Sequence, residues 1–371
     1  MHVLSVSSLK GGVGKTTIAL GLASAAFAAG LRTLVIDLDP QCDATTGLGA
    51  VGPFDINVAS VLKDPKHSVV SKAIVSSAWG KSTGGFVDVL PGSPKSVHYD
   101  TPHPTVRQTW MLEEALHRVE KDYDLVIIDT PPSINALTRT AWVASDRVLL
   151  VTEPGIFSVV AAERAQRALE EIRVAITKRV QLLGFVVNRY RPASKEQDFR
   201  IDELKTMFGE LVLPQYLEER SHLQQTQGAA RPIHTWPGEG AAEVASFFTG
   251  LLQRVQESFK QSPAETRTDA KPEKRSMFKR LRRGKKGPEK VTIETAFEIL
   301  GEPVLETASL QQPLLSDSQS VEQEVAHEVV IEEQPILDEP QIDEPRADTG
   351  GWSFKLEIEN PGDQTPGPRE N

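Results

Sequence analysis

Two lysines lie five positions apart, on either side of four small residues, in the stretch SSLKGGVGKTT that begins at Ser7. Gly14, Lys15 and Thr16 match the second half of the phosphate-binding pattern G-x-x-x-x-G-K-[ST], whereas Leu9 occupies the position of its first glycine. Glycines let backbone N–H groups approach an anion closely, so this stretch favours a polyphosphate ligand. In that setting Lys15 reaches the β- and γ-phosphates, and the Thr16 hydroxyl ligates Mg²⁺. A surface turn rich in glycine and lysine is the alternative.

Carboxylates end two apolar runs further along the chain, RTLVIDLD and YDLVIIDTPPS. In an open parallel sheet, a carboxylate at the carboxyl end of a strand faces the crevice where ligands bind. This placement makes Asp37, Asp39 and Asp129 candidates for the same site. A carboxylate that ends a strand also serves as a helix cap, and that alternative stays open for Asp37 and Asp39.

Alternating strands and helices must position these side chains. Six short apolar runs are typical of strands: HVLSVSS, RTLVIDLD, GFVDVLPG, YDLVIIDTPPS, DRVLLVTEP and VQLLGFVVN. Helical patterns lie at 15–29, 106–120, 133–145, 157–177 and 240–259. Continuous apolar strands that alternate with helices predict an α/β fold with a mostly parallel twisted sheet and helices on both faces, as in phosphate-loop NTPases.

Charge is distributed unevenly over the 371 residues. Residues 1–260 carry 27 basic and 28 acidic side chains, residues 261–290 carry 11 and 4, and residues 291–371 carry 3 and 19. We therefore predict a nucleotide-binding domain over 1–260, a basic linker over 261–290 and an acidic tail over 291–371. Both of the last two are predicted to be disordered, because so polar a composition buries too little apolar surface to offset the ordering entropy.

The single cysteine, Cys42, excludes an intrachain disulfide and any site that needs two cysteine ligands from one chain. This usage favours a reducing compartment. The sequence begins directly with a strand-like run rather than a basic and then apolar leader, and no run reaches the roughly 18 apolar residues of a membrane span. We expect a cytoplasmic protein.

Four ordered motifs carry a resemblance to a known family. KGGVGKTT resembles the deviant Walker A motif of the ParA/MinD ATPases, which commonly lack the first glycine. VIDLDPQCDAT resembles the second acidic motif of the family, LVIIDTPPS resembles its Walker B region, and residues 217–252 resemble the C-terminal part of ParA-type proteins. The resemblance extends over residues 1–258 and is greatest to the ParA (Soj-like) proteins that partition chromosomes and plasmids.

The resemblance implies a Mg²⁺-dependent ATPase. It makes Lys10 the signature lysine, which reaches across a dimer to the phosphates of the partner's nucleotide, and it makes Asp39 the residue that positions or activates the attacking water. Catalysis is thus assigned to Lys10, Lys15 and Asp39. The nucleotide is assigned to Gly11, Gly12, Val13, Gly14, Lys15, Thr16, Thr17 and Asn188, and the metal to Thr16, Asp37 and Asp129.

Asn188 ends the last predicted strand, GFVVNRY, and the resemblance gives it a contact with adenine. Its amide donates and accepts at once, which suits an adenine edge. An asparagine tolerated in a turn is the alternative. The adenine-packing residue of the family is not assigned, because Pro214 and Glu218 both lie near its expected position.

The same resemblance implies a homodimer that forms on ATP binding, nonspecific DNA binding, and a ParB-like or other partner protein that stimulates hydrolysis. The implied task is to position or segregate DNA or another cargo, with the protein associated with the nucleoid. Contacts would be made to phosphates rather than bases. The candidates, for which an ordinary surface charge is the alternative, are Arg189, Arg191, Lys195, Arg200, Arg220 and Arg231.

Two other functions stay open. A MinD-like membrane-associated positioning ATPase would use the basic segment 274–286, where Met277, Phe278 and Leu281 fall at helical spacing, although a charged linker explains this segment equally well. A metabolic ligase-like enzyme would need a second substrate pocket that the sequence does not reveal. The acidic tail is predicted either to compete with DNA or anionic lipid for basic residues or to act as a spacer.

Overall fold

The computed structural model describes residues 1–82 and 85–261. The predicted acidic tail, and the basic linker beyond Gln261, lie outside the described residues. In the described part, no helix is long and apolar enough to cross a membrane.

One sheet organises the described residues. Its eight strands are His2–Ser7 (β1), Arg32–Asp37 (β2), Val75–Ser82 (β3), Gly85–Leu90 (β4), Leu125–Asp129 (β5), Arg147–Thr152 (β6), Gln181–Tyr190 (β7) and Leu217–Glu218 (β8). They lie in the order β3-β4-β2-β5-β1-β6-β7-β8, and only β3 and β4 pair antiparallel. The predicted fold class is therefore confirmed, and all six predicted strands are present.

Helices cover both faces of this sheet. The α-helices in the described residues are Lys15–Ala28 (α1), Asp43–Gly47 (α2), Val58–Lys63 (α3), His67–Ala73 (α4), Val106–Thr109 (α5), Met111–Leu116 (α6), Ala136–Ala144 (α7), Ile156–Ala175 (α8), Lys195–Phe208 (α9), Ser221–Gly228 (α10) and Glu239–Gln261 (α11). Because helices lie on both sides, every residue of β5 and β6 is buried, which explains their continuous apolar sequences.

The core on one face of the sheet joins α1 to α11. Ile18 and Leu22 of α1 belong to the same buried cluster as Phe248 and Val255 of α11. Fully burying one such side chain contributes roughly 1.5–3 kcal/mol relative to leaving it exposed. The helix that follows the phosphate-binding loop is therefore firmly anchored between the sheet and the last helix.

Several elements differ from the sequence-based expectations, and α9, α10 and β8 were not predicted. The helix predicted over 106–120 is divided into α5 and α6, and the structure adds α2, α3 and α4 between residues 43 and 73. The antiparallel edge strand β3 is also an addition. Its sequence, VSSAWGKS, lacks the continuous apolar run of a strand covered on both faces.

The sheet order places the candidate site. β1 lies between β5 and β6 in the sheet. The chain runs from β1 to β2 on one side and from β6 to β7 on the other side, so a crevice remains between these two connections at the carboxyl end of β1. Ligands of open α/β sheets bind at such a point. The glycine-rich loop, residues 8–14, leaves β1 at this edge and leads into α1.

Candidate functional site

The loop between β1 and α1 has the backbone geometry of an anion site. Gly12 and Gly14 have φ angles of 76° and 89°, a region that residues with side chains adopt only at a cost. Gly14 caps α1 without a side-chain hydrogen bond, and the first turn of α1 contains no acidic residue. A Cβ added at Gly11 or Gly12 would meet nothing within 4 Å. At Gly11 and Gly12 the loop therefore borders open space, as an anion site requires.

Asn188 supports this loop from the end of β7. Its Nδ2 donates to the Val13 carbonyl at 2.7 Å, and the residue is only 3% exposed. A Cβ at Gly14 would overlap the Asn188 amide. The structure thus places Asn188 against the loop backbone, and its predicted contact with adenine remains a prediction.

Lys15 is a buried cation at the start of α1, 7% exposed. Burial lowers its pKa, an effect opposed by the carboxylates of Asp129, Asp39 and Asp43. A lysine held in this way can neutralise phosphate charge where little water competes with it. The predicted role of Lys15 fits this position.

Asp129 is the most deeply buried carboxylate of the site. Its Oδ2 accepts a hydrogen bond from Thr16 Oγ1 at 2.6 Å, and burial raises its pKa to about 8. No hydrogen bond reaches its Oδ1 from the described residues. A buried carboxylate with a free oxygen is costly unless it meets a proton or a cation.

Asp37 is paired in register with Asp129 on the adjacent strand. Its Oδ2 accepts from the Thr45 backbone N at 2.8 Å and from Thr45 Oγ1 at 2.6 Å, and burial raises its pKa to about 6. Thr45 lies in the first turn of α2, so Asp37 does satisfy a helix N-terminus, as the capping alternative proposed. Its other oxygen, Oδ1, has no partner among the described residues.

The oxygens of Thr16, Asp37 and Asp129 fit a small, hard cation. Mg²⁺ takes oxygen ligands and usually keeps several waters and substrate phosphates in its shell. Within residues 1–82 and 85–261, no group of three or more His, Cys, Asp or Glu side chains forms a metal site on its own. A cation here would complete its coordination with phosphate and water.

Asp39 faces the same cavity from the loop after β2. It is half-buried, and burial raises its pKa, while hydrogen bonding to Gln41 and the charge of Lys15 lower it. Its Oδ1 accepts from the Gln41 backbone N at 3.0 Å. The N-cap of α2 is Cys42, which makes no side-chain capping bond. Asp39 therefore closes a local turn next to α2 and presents a carboxylate to the cavity.

The cavity holds about 740 Å³ at the carboxyl edge of the sheet. Small-molecule sites commonly measure about 300–1,000 Å³. Predicted residues that line it are Gly12, Gly14, Lys15, Thr16, Thr17 and Asp39. Six further polar residues that line it were not found from the sequence: Gln41, Asp43, Thr46, Asp100, Ser133 and Gln227. Gln227 Nε2 donates to Thr17 Oγ1 at 3.1 Å across 210 positions of sequence, a contact that no local pattern signals.

Lys10 does not line this cavity. Its Nζ lies 3.0 Å from Glu153 Oε2, at the end of β6. Glu153 Oε1 also accepts from Arg189 Nη1 at 2.8 Å. The signature lysine is thus bound to a carboxylate of its own chain, a partner that the sequence did not reveal.

The six candidate DNA contacts lie on several elements, and four of them are ion-paired. The pairs are Arg189 with Glu153, Arg191 with Glu219, Arg200 with Glu203 and Arg220 with Glu218, at 2.8, 2.7, 3.1 and 2.8 Å. Arg231 places its guanidinium 5.7 Å from the Trp236 ring centroid, and Lys195 begins α9. Carboxylates beside these arginines reduce the positive potential that they offer to DNA.

Known proteins are similar to this chain in sequence and in fold. A family model described as an AAA domain matches residues 1–182. The chromosome-partitioning ATPase Soj of Thermus thermophilus is 29% identical over 260 residues, which cover 69% of this chain and 97% of Soj. These similarities confirm the predicted resemblance to the ParA/MinD P-loop ATPases.

Two solved structures share the fold of this chain. A complex of McdA from Cyanothece with ATP has a TM-score of 0.59 and 21% identity, and covers 69% of this chain and 96% of its own. A cobyrinic acid a,c-diamide synthase from Mycobacterium smegmatis with bound ADP and magnesium has a TM-score of 0.57 and 23% identity, and covers 70% and 96%. At such identities, the likeness establishes the fold and not the roles of individual residues.

The enzyme class predicted from the sequence, an ATPase, is confirmed as well. The predicted cofactors match the ligands of the two solved structures, which hold ATP in one case and ADP with magnesium in the other. The roles assigned to single residues, the dimer and the DNA contacts remain predictions.

Proposed function

We propose that this chain is a dimerising ParA-type ATPase that positions or segregates a cargo, DNA in the first instance, and whose ATP hydrolysis a partner protein stimulates. One observation carries the nucleotide chemistry. Asp37 and Asp129 are fully buried side by side next to Thr16 and Lys15, and each keeps one oxygen to which no described residue donates a hydrogen bond. Similarity to a partitioning ATPase over 97% of that relative's length supports the positioning task.

In this proposal the loop from Gly11 to Thr17 holds the phosphates, and Lys15 neutralises their charge. Thr16 and Asp129 hold Mg²⁺, and Asp37 supports the metal from the neighbouring strand. Bound Mg²⁺ neutralises the charge that develops on the transferred phosphate. Asp39, which lines the same cavity as Lys15, orients the attacking water and accepts its proton.

Lys10 completes the site of a second copy. Lys10 does not line the cavity that contains Lys15, and its ammonium group is paired with Glu153 at the end of β6; both observations support this assignment. ATP then acts as the link between two protomers. Hydrolysis removes that link and separates them.

DNA binding in this proposal is nonspecific and electrostatic. Since carboxylates accompany four of the six core candidates, the basic segment 261–290 supplies a large part of the positive charge. The chain thus divides into an ATPase domain over 1–260, the basic linker and the acidic tail. Association with the nucleoid in the cytoplasm follows from DNA binding.

Binding of the full-length chain to DNA and to vesicles tests the proposal. We expect retardation of nonspecific duplex DNA with ATP and Mg²⁺, and much weaker retardation with ADP or without nucleotide. ATP-dependent sedimentation with vesicles of phosphatidylglycerol, without DNA retardation, would instead establish the membrane-associated alternative. ATP turnover that requires a small-molecule acceptor would contradict the positioning function and identify a ligase.

A further inference from the structure

One carboxylate, Glu153, binds two cations from different parts of the chain. Lys10 Nζ lies 3.0 Å from its Oε2, and Arg189 Nη1 donates to its Oε1 at 2.8 Å. The Glu153 side chain is 19% exposed, against 41% for Lys10 and 50% for Arg189. The carboxylate is therefore the more buried partner, and both cations approach it from the solvent side.

The backbone at Arg189 is strained to make this contact. Its φ of 57° lies in the left-handed region, which residues with a Cβ seldom adopt. Asn188 and Tyr190 pair with the consecutive residues Leu217 and Glu218 of β8, so Arg189 is the extra residue of a β-bulge. Bulges redirect a side chain, and strained residues persist where the surroundings hold them. Here the bulge directs Arg189 to Glu153.

We propose that Glu153 is a positioning residue for Lys10, which it holds on its own protomer until a second ATP-bound copy offers its phosphates. This inference rests on the proposed function, in which Lys10 acts across the dimer. Lys10 must leave the Glu153 carboxylate before it can reach the partner's nucleotide. Glu153 thereby opposes dimerisation and raises the protein concentration at which ATP drives it.

Arg189 lowers the free-energy cost of the exchange. When Lys10 leaves, Glu153 retains the Arg189 guanidinium, so the largely buried carboxylate is never left without a cation. Loss of one of two partners is far less costly than leaving a buried charge unpaired. In the exchange, Lys10 loses its contact with the Glu153 carboxylate and gains a contact with the partner's phosphate oxygens. The difference between the free energies of these two contacts is the contribution of Lys10 to dimer stability.

Sedimentation velocity with AMP-PNP and Mg²⁺ tests the proposal over a series of protein concentrations. Glu153→Gln removes the negative charge and keeps the shape, so we expect its dimer dissociation constant to fall about two- to fivefold, the range of a partly exposed ion pair. Nucleotide affinity of the monomer should not change. Glu163→Gln is the matched control: it removes a carboxylate paired with Arg167 on the surface of α8 and should leave the dimer unchanged.

A Lys10→Ala background distinguishes the proposed role of Glu153 from the proposed role of Lys10 across the dimer. In it, Glu153→Gln should no longer tighten the dimer, because the contact that it removes is already gone. Equal or weaker dimerisation of Glu153→Gln in the wild-type background, or tightening that persists in Lys10→Ala, would overturn the role of Glu153. Lys10→Ala that dimerises as well as wild type would contradict the proposed function itself.

Discussion

At the scale of single residues, the site is dominated by two buried carboxylates, each with one oxygen that receives no hydrogen bond from the described residues. Asp37 and Asp129 lie on adjacent strands, burial raises the pKa of both, and the charge of Asp37 raises the pKa of Asp129 further. Thr45 donates a hydrogen bond to Asp37, and Thr16 donates one to Asp129. These bonds offset only part of the free energy that it costs to remove the two carboxylates from water. Binding of a divalent cation would offset the rest, so the geometry couples metal binding to the stability of this edge of the sheet.

Asp129→Asn should make the nucleotide-free protein more stable at alkaline pH. The folded pKa of Asp129, about 8, is far above the roughly 3.9 of an unfolded aspartate, so the folded state holds this proton more tightly. This tighter proton binding stabilises the folded wild-type protein by on the order of 5 kcal/mol. The stabilisation is fully present below about pH 4 and is lost as pH rises through about 8. Thermal unfolding in EDTA from about pH 5 to about pH 8.5 should show the advantage of the variant increasing by several degrees. Melting temperatures of the variant and the wild type that change equally over this pH range would contradict the prediction.

Asp39→Ala should leave ATP binding and ATP-driven dimerisation intact and reduce hydrolysis about 100-fold. The reason is that the Asp39 carboxylate is hydrogen-bonded to Gln41 rather than to the phosphate-binding loop and borders the cavity. Nucleotide titration, sizing and phosphate release measure the three properties. Asp64→Ala, on the surface at the end of α3, is the control. Normal turnover by Asp39→Ala would leave Asp39 with only its turn-forming role.

The sequence alone identified the residues that form motifs, because the loop, its lysine and the strand-ending carboxylates are local patterns. It did not identify Thr45, Gln227 or Glu153. The last two act through partners 210 and 143 positions away, and only the folded chain brings them together. Such residues leave no periodic or spaced signal in one sequence.

At the scale of elements, buried strands were predictable and short surface elements were not. β5 and β6 are covered on both faces, so their composition indicates a strand without further information. α2, α3 and α4 contain five to seven residues, too few for a helical period to be recognised. α2 and α4 begin without a side-chain cap, whereas α3 begins at a capping box formed by Asn57 and Ser60.

Gly14→Ala should weaken both the fold of the phosphate loop and nucleotide binding. The new Cβ would be strained at a φ of 89° and would displace the Asn188 amide from Val13. We expect a loss of about 1–3 kcal/mol in unfolding free energy and a clear drop in ATP affinity. Gly11→Ala is the control for stability, because its Cβ meets nothing within 4 Å. Chemical denaturation and nucleotide titration make the comparison, and equal stabilities of the two variants would contradict it.

At the scale of the whole molecule, charge is divided between segments of opposite sign. Residues 1–290 carry a net charge of +6, and residues 291–371 carry −16. The negative segment is covalently attached to a chain that is proposed to bind a polyanion. Its charge therefore raises the free energy of bringing the protein to DNA or to an anionic membrane, whatever conformation it adopts.

Truncation after Lys290 should therefore raise the affinity for nonspecific DNA at low salt. The effect is electrostatic and long-range, and the Debye length falls from about 30 Å at 0.01 M salt to about 8 Å at physiological ionic strength. The difference between the truncated and full-length chains should consequently shrink as salt increases, while ATPase activity without DNA stays the same. Retardation of duplex DNA over a salt series, with ATP present throughout, measures this. Equal affinities at every salt concentration would show that the acidic tail is a spacer, because a segment with a net charge of −16 could not then lie close enough to the bound DNA to repel it.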